Sequence, residues 1–512
     1  MPRWRSADVV VERFGTSEVL VARPGGAPGR LLALEDARVL VACDSFDDDA
    51  AHAARIADDV ELAAPDVVAA LGRLRAHDLL ISDDDARATA IAVGRRAEPP
   101  PGIAAVGIVT CDRPRCVARL LDGLRRHGTR SARVPLWICD DSRSDAHRAA
   151  TREIAGAARR DGADVRILAQ GGKQRLAAAL VAAGAARELV ELALFDPEGL
   201  GYTAGANRNA FRLITAGSLS LLVDDDATAR AARPHGARGG IRFTSEDHGV
   251  EFWLHDSVEA ALADGEFEDV DLVALHEQLL GRTLADCAAR HGGAGLDLDQ
   301  ASPELLARLL AGNGRVLITQ SGYAGDAGIT SNASFLALRG ESRARLAARY
   351  AEVRDARALQ RSTAQLLVTE APYLMGLTTG LDGRHLLPPW LPFLRNSDGV
   401  LAGLMRAVHR DGCIGALPEL VEHRPPDVRR FAPDAVFRGG VELRFSDLVG
   451  LILRDVAALP HAPPEDALDA LGRHFAALGA LPPAQFTEVV RALRWADAQR
   501  QARDLELSAA HD

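Results

Sequence analysis

The chain is poor in aromatic residues and in cysteine, and it has no long uninterrupted apolar run. Aromatics make up 4% of 512 residues. Alanine, arginine, aspartate and glycine are plentiful, a composition that resembles the coding bias of a GC-rich bacterial genome and carries no functional cue. The six cysteines (Cys43, Cys111, Cys116, Cys139, Cys287 and Cys413) form no CxxC pair. That spacing excludes the usual zinc and disulfide frameworks and predicts reduced, mostly buried thiols. No stretch approaches the roughly 18 apolar residues of a membrane span. Arg3 and Arg5 are followed by no apolar signal region. The expectation is a cytoplasmic protein without a transmembrane segment. Basic residues are outnumbered, with a net charge of −11, so nucleic acid is not an expected partner, because a binder of phosphate backbone needs a basic face.

A chain of this length predicts about three domains. The clearest boundary is Glu98-Pro99-Pro100-Pro101-Gly102, a stiff extended linker by composition. Before it, Val9–Arg13 and Glu18–Val21 read as a hairpin across Phe14-Gly15-Thr16. Helical periodicity follows over Leu31–Cys43, Asp49–Ile56 and Pro65–Ala76, and Leu79-Leu80-Ile81 closes the segment as a strand. Residues 1–98 are therefore predicted to be a small α+β module resembling a winged helix.

From residue 99 to about 440, strands and helices alternate, which predicts an α/β domain with a largely parallel sheet. Ile103–Thr110, Val134–Cys139, Val165–Leu168 and Leu219–Val223 are strands. Pro114–His127, Lys173–Glu191 and Ala204–Ala216 are helices. Further on, Arg315–Thr319 and Ala364–Val368 read as strands, and the regions near Arg343–Val353 and Leu401–Arg410 as helices. Residues 441–512 read as a helical region, with helices at Asp447–Leu459, Pro464–Leu478 and Pro483–Glu506. This tail could cover a cleft or form a homodimer; the residues leave both open.

Ligands of open α/β sheets gather at the carboxyl ends of strands. Three polar clusters fall there: Thr110-Cys111-Asp112-Arg113, Asp140-Asp141-Ser142 and Asp224-Asp225-Asp226. Three adjacent carboxylates raise one another's pKa, and a divalent cation such as Mg²⁺ or Mn²⁺ relieves that repulsion while sharing its shell with substrate phosphate. Asp47–Asp49 and Asp83–Asp85 read instead as solvated acidic turns. What separates the 224–226 run is the buried strand Ser220-Leu221-Leu222-Val223 before it.

Val106–Thr110 with Asp112-Arg113-Pro114, then Ile138–Ser142, Gly205–Asn209 and Leu222–Asp226, occur in that order. The series resembles the nucleotide-binding half of family 2 glycosyltransferases with the GT-A fold, a Rossmann-like mixed sheet. It covers Ile103–Thr228 well and reaches Arg430 more weakly. The resemblance implies that Thr110, Asp112, Asp140 and Asp141 contact the nucleotide of a nucleotide-sugar donor. It implies that Asn207 and Arg208 close over that donor beside Asp224 and Asp225. Asp224 and Asp226 would be the outer residues of a DxD motif binding Mn²⁺ or Mg²⁺, with His423 as a further metal ligand. Asp398 would be the catalytic base, although the family's preceding acidic residue is Ser397 here; an ordinary helix cap is the alternative. The Gly-rich stretch Gly322–Gly328 reads as a flexible loop, with Asp326 a minor candidate.

The N-terminal module resembles PqqD-like precursor-recognition elements, which implies a ribosomally synthesised peptide as a candidate acceptor. The expected function is metal-dependent sugar transfer with inversion. Two rivals stay open: a nucleotidyltransferase making a nucleotide sugar, disfavoured by the absence of glycine after the first strand, and a catalytically silent peptide-binding scaffold.

Overall fold

The computed structural model describes residues 2–14, 16–23, 29–127, 129–245, 249–329, 332, 335, 338–432, 435, 442–456 and 462–510. The N-terminal part contains β1 (Trp4–Ser6), β2 (Val10–Phe14), β3 (Glu18–Ala22), β4 (Arg30–Ala33), α1 (Leu34–Ala42), α2 (Asp49–Val60), α3 (Ala64–Ala76), β5 (Leu80–Ser82) and α4 (Asp83–Gly94). Strands β2, β3 and β4 form an antiparallel sheet, and β1 pairs with β5. The helix predicted from Leu31 begins at Leu34, because Leu31–Ala33 extends the hairpin to a third strand.

Helix α4 was not expected. Asp83–Asp85, read as a solvated turn, is its first turn, where carboxylates face the positive end of the helix dipole and the Ser82 hydroxyl caps Asp85 N at 3.0 Å. Asp83 is buried and ion-paired to Arg3 and Arg87. Nor is Asp47–Asp49 merely solvated: Asp48 caps α2 and Asp49 holds Arg75.

The alternating region follows with β6 (Ala105–Thr110), α5 (Pro114–His127), β7 (Leu136–Asp140), α6 (Asp145–Arg160), β8 (Val165–Ala169), α7 (Gln170–Ala182), α8 (Arg187–Leu194), α9 (Ala204–Ile214) and β9 (Leu219–Asp224). The single helix expected over Lys173–Glu191 is two helices, broken where Gly184 takes φ +100°. Next come β10 (Ala227–Ala232), β11 (Ile241–Thr244), β12 (Val250–His255), α10 (Val258–Ala263), β13 (Glu268–Asp269), α11 (Leu272–His276), α12 (Leu284–His291), β14 (Leu296–Gln300) and α13 (Pro303–Ala311). The domain closes with β15 (Arg315–Asp326), α14 (Gly340–Val353), β16 (Ala358–Thr363), β17 (Leu366–Thr369), β18 (Thr378–Asp382), α15 (Ser397–Val408) and β19 (Gly412–His423). Gly322–Asp326, expected as a flexible loop, is the buried end of β15, paired to β16 and β19.

One mixed sheet runs in the order β14-β11-β17-β19-β15-β18-β9-β6-β7-β8. Strands β8, β7, β6 and β9 are parallel neighbours, and β18 is antiparallel to both β9 and β15. The architecture is thus a Rossmann-like mixed α/β sheet. Because β6, β7 and β9 run in parallel, Thr110 lies opposite Asp140 and Val109 opposite Asp224. The three polar clusters are brought to one sheet edge by that register.

The N-terminal part is docked on this domain. Ala86 and Ala90 of α4 share one apolar core with Ile103, Val106 and Ile108. Gly94 meets α12 so closely that an added Cβ would lie 1.9 Å from the Ala285 carbonyl oxygen. Arg5, fully buried, donates to the Ala301 carbonyl.

At the other end are helices Phe445–Asp455, Pro464–Gly479 and Pro483–Ala510. Leu459, the expected end of the first, and the boundary at 440 lie outside the described residues. Among the described residues no helix is long and apolar enough to cross a membrane. All six cysteines are free, and only Cys111 is exposed.

Candidate active site

A cleft of about 1640 Å³ opens at the carboxyl ends of β6, β7 and β9. Thr110, Asp141, Asn207, Arg208, Asp224, Asp225, Asp226, Asp398 and His423 all line it. Asp112 and Asp140 do not. Asp140 is buried, with Oδ1 accepting from Ser142 N at 2.8 Å. Asp112, at φ +57°, accepts from the main-chain N–H groups of Arg143 and Ser144 and pairs with His147. Both hold the β7–α6 turn in place.

The aspartate triplet is neutralised from several sides. Asp225 Oδ2 accepts from the Thr110 hydroxyl at 2.7 Å. Arg113 Nη1 lies 3.1 Å from Asp225 Oδ1 and 2.8 Å from Asp226 Oδ2. Arg208 Nη2 is 2.8 Å from Asp224 Oδ1. Burial, with Asp226 adding to it, pushes Asp225 up to about 7 against the pull of Arg113 and Thr110. Asp224 keeps 33% of its side chain exposed and rises to about 6, again through burial opposed by Arg208. Asp226 moves the other way. Burial disfavours its charge, but His423, Arg113 and Arg429 outweigh that and hold it well below the usual carboxylate range.

Arg208 is the hinge of the arrangement. Its side chain is 5% exposed, and Nη1 reaches Asp398 Oδ1 at 3.0 Å while Nη2 holds Asp224. It faces carboxylates rather than open solvent, and they raise its pKa despite burial. Asp398 is not a helix cap: Asn396 occupies that position. Its Oδ1 also accepts from Trp390 Nε1 at 3.1 Å, which leaves Oδ2 for other work. Asn207 donates to the Cys139 carbonyl at 3.0 Å, while its buried Oδ1 has no partner.

No family model matches this chain, and no curated protein matches it. Among solved structures it is similar to the mannosyltransferase PcManGT from Pyrobaculum calidifontis in complex with GDP-Man and Mn²⁺. The TM-score is 0.26 at 12% identity, covering 82% of this chain and 99% of that one. A similarity of that degree carries no conclusion about this chain.

His423 Nδ1 lies 2.6 Å from the Asp326 main-chain oxygen, so that nitrogen carries a proton, and Nε2 stands 3.4 Å from Asp226 Oδ1. A ring fixed through its other nitrogen is the usual preparation of a metal-binding histidine. Burial opposes the imidazolium, but Asp226 and the Asp326 carbonyl raise its pKa. The pair supplies one nitrogen and one oxygen donor, a set that suits Mn²⁺ and other divalent ions. Asp224 is turned to Arg208, and among the described residues no three His, Cys, Asp or Glu groups converge. The fit of a metal therefore rests on Asp226 and His423.

Sequence reasoning gave no role to Arg113 or Lys173 and only a minor one to Asp326, three supports of this site. Arg113 lay inside a quoted motif without a role. Asp326, fully buried between Arg357 and Arg429, was hidden because its glycine-rich surroundings suggested a loop. Lys173 is buried at 2.5 Å from Asp141, whose other oxygen accepts from Thr203. It is also the only lysine of the chain, a signal that composition alone could have raised.

Proposed function

We propose that the chain is a metal-dependent glycosyltransferase of the GT-A, family 2 kind, moving a sugar from a nucleotide-sugar donor to an acceptor hydroxyl with inversion. The observation that carries this reading is the bridge made by Arg208. One guanidinium joins Asp224, at the end of β9, to Asp398, in the first turn of α15. A carboxylate suited to deprotonating an acceptor thus stands across one buried cation from the acidic triplet.

In this reading the acceptor oxygen attacks the anomeric carbon and its proton passes to Asp398. The bond from that carbon to the diphosphate breaks, and its electrons leave with the nucleoside diphosphate. Trp390 and Arg208 hold Oδ1, so Oδ2 takes the proton. A divalent ion held by Asp226 and His423 would neutralise the departing phosphates. Arg143 and Arg395 line the same cleft beside Tyr202, whose ring lies 4.7 Å from the Arg395 guanidinium. Their charges suit a diphosphate. Thr110, Asp141 and Asn207 fall to the nucleoside side.

Residues 1–98 are proposed as a peptide-recognition module, 99–440 as the catalytic domain and 441–512 as a helical region. The peptide reading is supported by β2, one of the two outer strands of its sheet, which leaves Val10 53% and Phe14 57% exposed. An outer strand can accept another by main-chain hydrogen bonding.

The test is a thermal-shift panel of UDP-, GDP- and dTDP-sugars with and without Mn²⁺, on the full chain and on Asp226→Ala. A ligand that binds the folded state alone must raise Tm by mass action. One donor should raise Tm only with Mn²⁺ and only in the unsubstituted chain. A panel without any shift would overturn the proposal.

A further inference from the structure

The cleft is larger than the edge that carries the aspartates, and its far flank is built differently. There β12, β16 and β15 place Phe252, Arg361 and Tyr323 in one cross-strand row facing the cleft. The Arg361 guanidinium lies 4.4 Å from the Tyr323 ring centroid and 5.8 Å from that of Tyr373. Tyr323 in turn packs edge-on against His423 at 5.6 Å. Arg361 therefore sits one tyrosine ring beyond the His423–Asp226 pair, on the side away from Thr110 and Asp141.

Among the described residues no carboxylate answers Arg361, Arg143 or Arg395 of this cleft, and Arg361 differs from the other two in having a buried Nε without a partner. Arg113, Arg208, Arg242, Arg429 and Arg444, which line the same cleft, are all ion-paired. Among the described residues the Arg361 side chain has only its ring contacts, and its Nε is buried without a hydrogen-bond partner. A buried donor left without a partner is costly. Two tyrosine rings lie within cation–π reach of the guanidinium, and its N–H groups suit a planar or tetrahedral anion.

We infer that Arg361 is the receptor for an anionic group, carboxylate or phosphate, on the acceptor. This rests on the glycosyltransferase reading, which gives the nucleoside to Thr110, Asp141 and Asn207 and so leaves the flank beyond His423 for the acceptor. The acceptor class is then an acidic one, such as a uronic acid, a sugar phosphate or a peptide with an acidic residue near the modified position.

The experiment measures binding of methyl glucoside, methyl glucuronide and methyl glucoside 6-phosphate to the full chain by calorimetry. At least one charged probe should bind about tenfold or more tightly than the neutral one, the scale of a single charge-assisted hydrogen bond. The glucuronide and phosphate arms separate the two anion sources. Arg361→Gln should abolish the preference, and Arg361→Lys, which keeps charge but loses the fork, should reduce it. Equal binding of all three probes, no binding by any, or a preference that survives Arg361→Gln would overturn the inference. Arg361→Gln should keep the Mn²⁺-dependent thermal shift by the nucleotide sugar. Loss of that shift from the unsubstituted chain would instead strike the glycosyltransferase reading, so the two failures are distinguishable.

Discussion

The imidazole of His423 is oriented by Asp326 through the main chain: Nδ1 and the Asp326 oxygen are 2.6 Å apart. The same residue's carboxylate is fully buried and accepts from Arg429 at 2.7 and 3.1 Å and from Arg357 at 3.3 Å. One residue thus locks two guanidiniums with its side chain and a metal-ligand candidate with its backbone.

Replacing that carboxylate should have two separable effects. Asp326→Asn leaves two guanidiniums without their counter-charge and should cost about 3 kcal/mol, the scale for breaking a buried pair. A urea transition at lower midpoint with unchanged slope would report it. Once the two guanidiniums lose their anchor the 326 main chain that orients His423 should shift, so Mn²⁺ affinity should fall by about 10–100-fold, the scale for residues that orient metal ligands. Unaltered Mn²⁺ binding would separate Asp326 from the metal.

Gly376 sets the position of the proposed base. A Cβ there would lie 2.1 Å from Asp398 Oδ2, so Gly376→Ala must push the carboxylate aside. Turnover should drop by about 100-fold, the cost of a misplacement near 1 Å, while the donor thermal shift stays. A variant with full turnover would remove Asp398 from the chemistry.

The sole lysine should behave as half of a buried pair. Lys173→Met strands Asp141, whose side chain is 10% exposed, and should cost about 3–5 kcal/mol. Lys173→Met with Asp141→Asn should recover much of that loss. Additive losses in this cycle would show that the two residues do not interact.

His276 makes stability depend on pH. It is fully buried, paired with the hydroxyls of Thr319 (2.7 Å) and Thr378 (3.0 Å), and burial lowers its pKa to about 3. The unfolded chain therefore binds a proton that the folded chain refuses between about pH 6.5 and 3. The stability this histidine contributes is present above 6.5 and is lost as pH falls toward 3, at up to about 1.4 kcal/mol per unit. Asp224 and Asp225, both raised, act in the opposite sense over about pH 4–7, so the readout is a difference. Between about pH 3 and 6.5 the signed slope of stability against pH should be less positive in His276→Asn than in the unsubstituted chain, by up to about 1.4 kcal/mol per unit. Identical slopes would mean that His276 is protonated in the folded state.

The parallel half of the sheet was legible because buried strands and polar strand ends leave a local pattern. Val106–Thr110 and Leu221–Asp224 are short apolar runs ending in polar residues, and both ends reach the cleft. Helix α4 was missed because Asp83–Asp85 looks like any acidic turn; only burial against Arg3 and Arg87 marks it as a helix start. Asp112 stood in a motif with Thr110 yet serves the 143–147 turn, since a left-handed backbone at one residue redirects its side chain. The far flank of the cleft was invisible. Phe252, Arg361 and Tyr323 come from three separate stretches, and only the pairing of β12, β16 and β15 makes them neighbours.

The docking of α4 on α12 bears on how any ligand of residues 1–98 would be read. The Pro99–Pro101 run follows a helix already packed against Ala285, so the segment does not trail on a loose tether. A chain gripped on β2 would enter the cleft from a fixed origin. Choice among its residues would then be made by distance along the chain from the anchor, as a gauge measures length, and lengthening the spacer would shift the chosen residue by the number inserted.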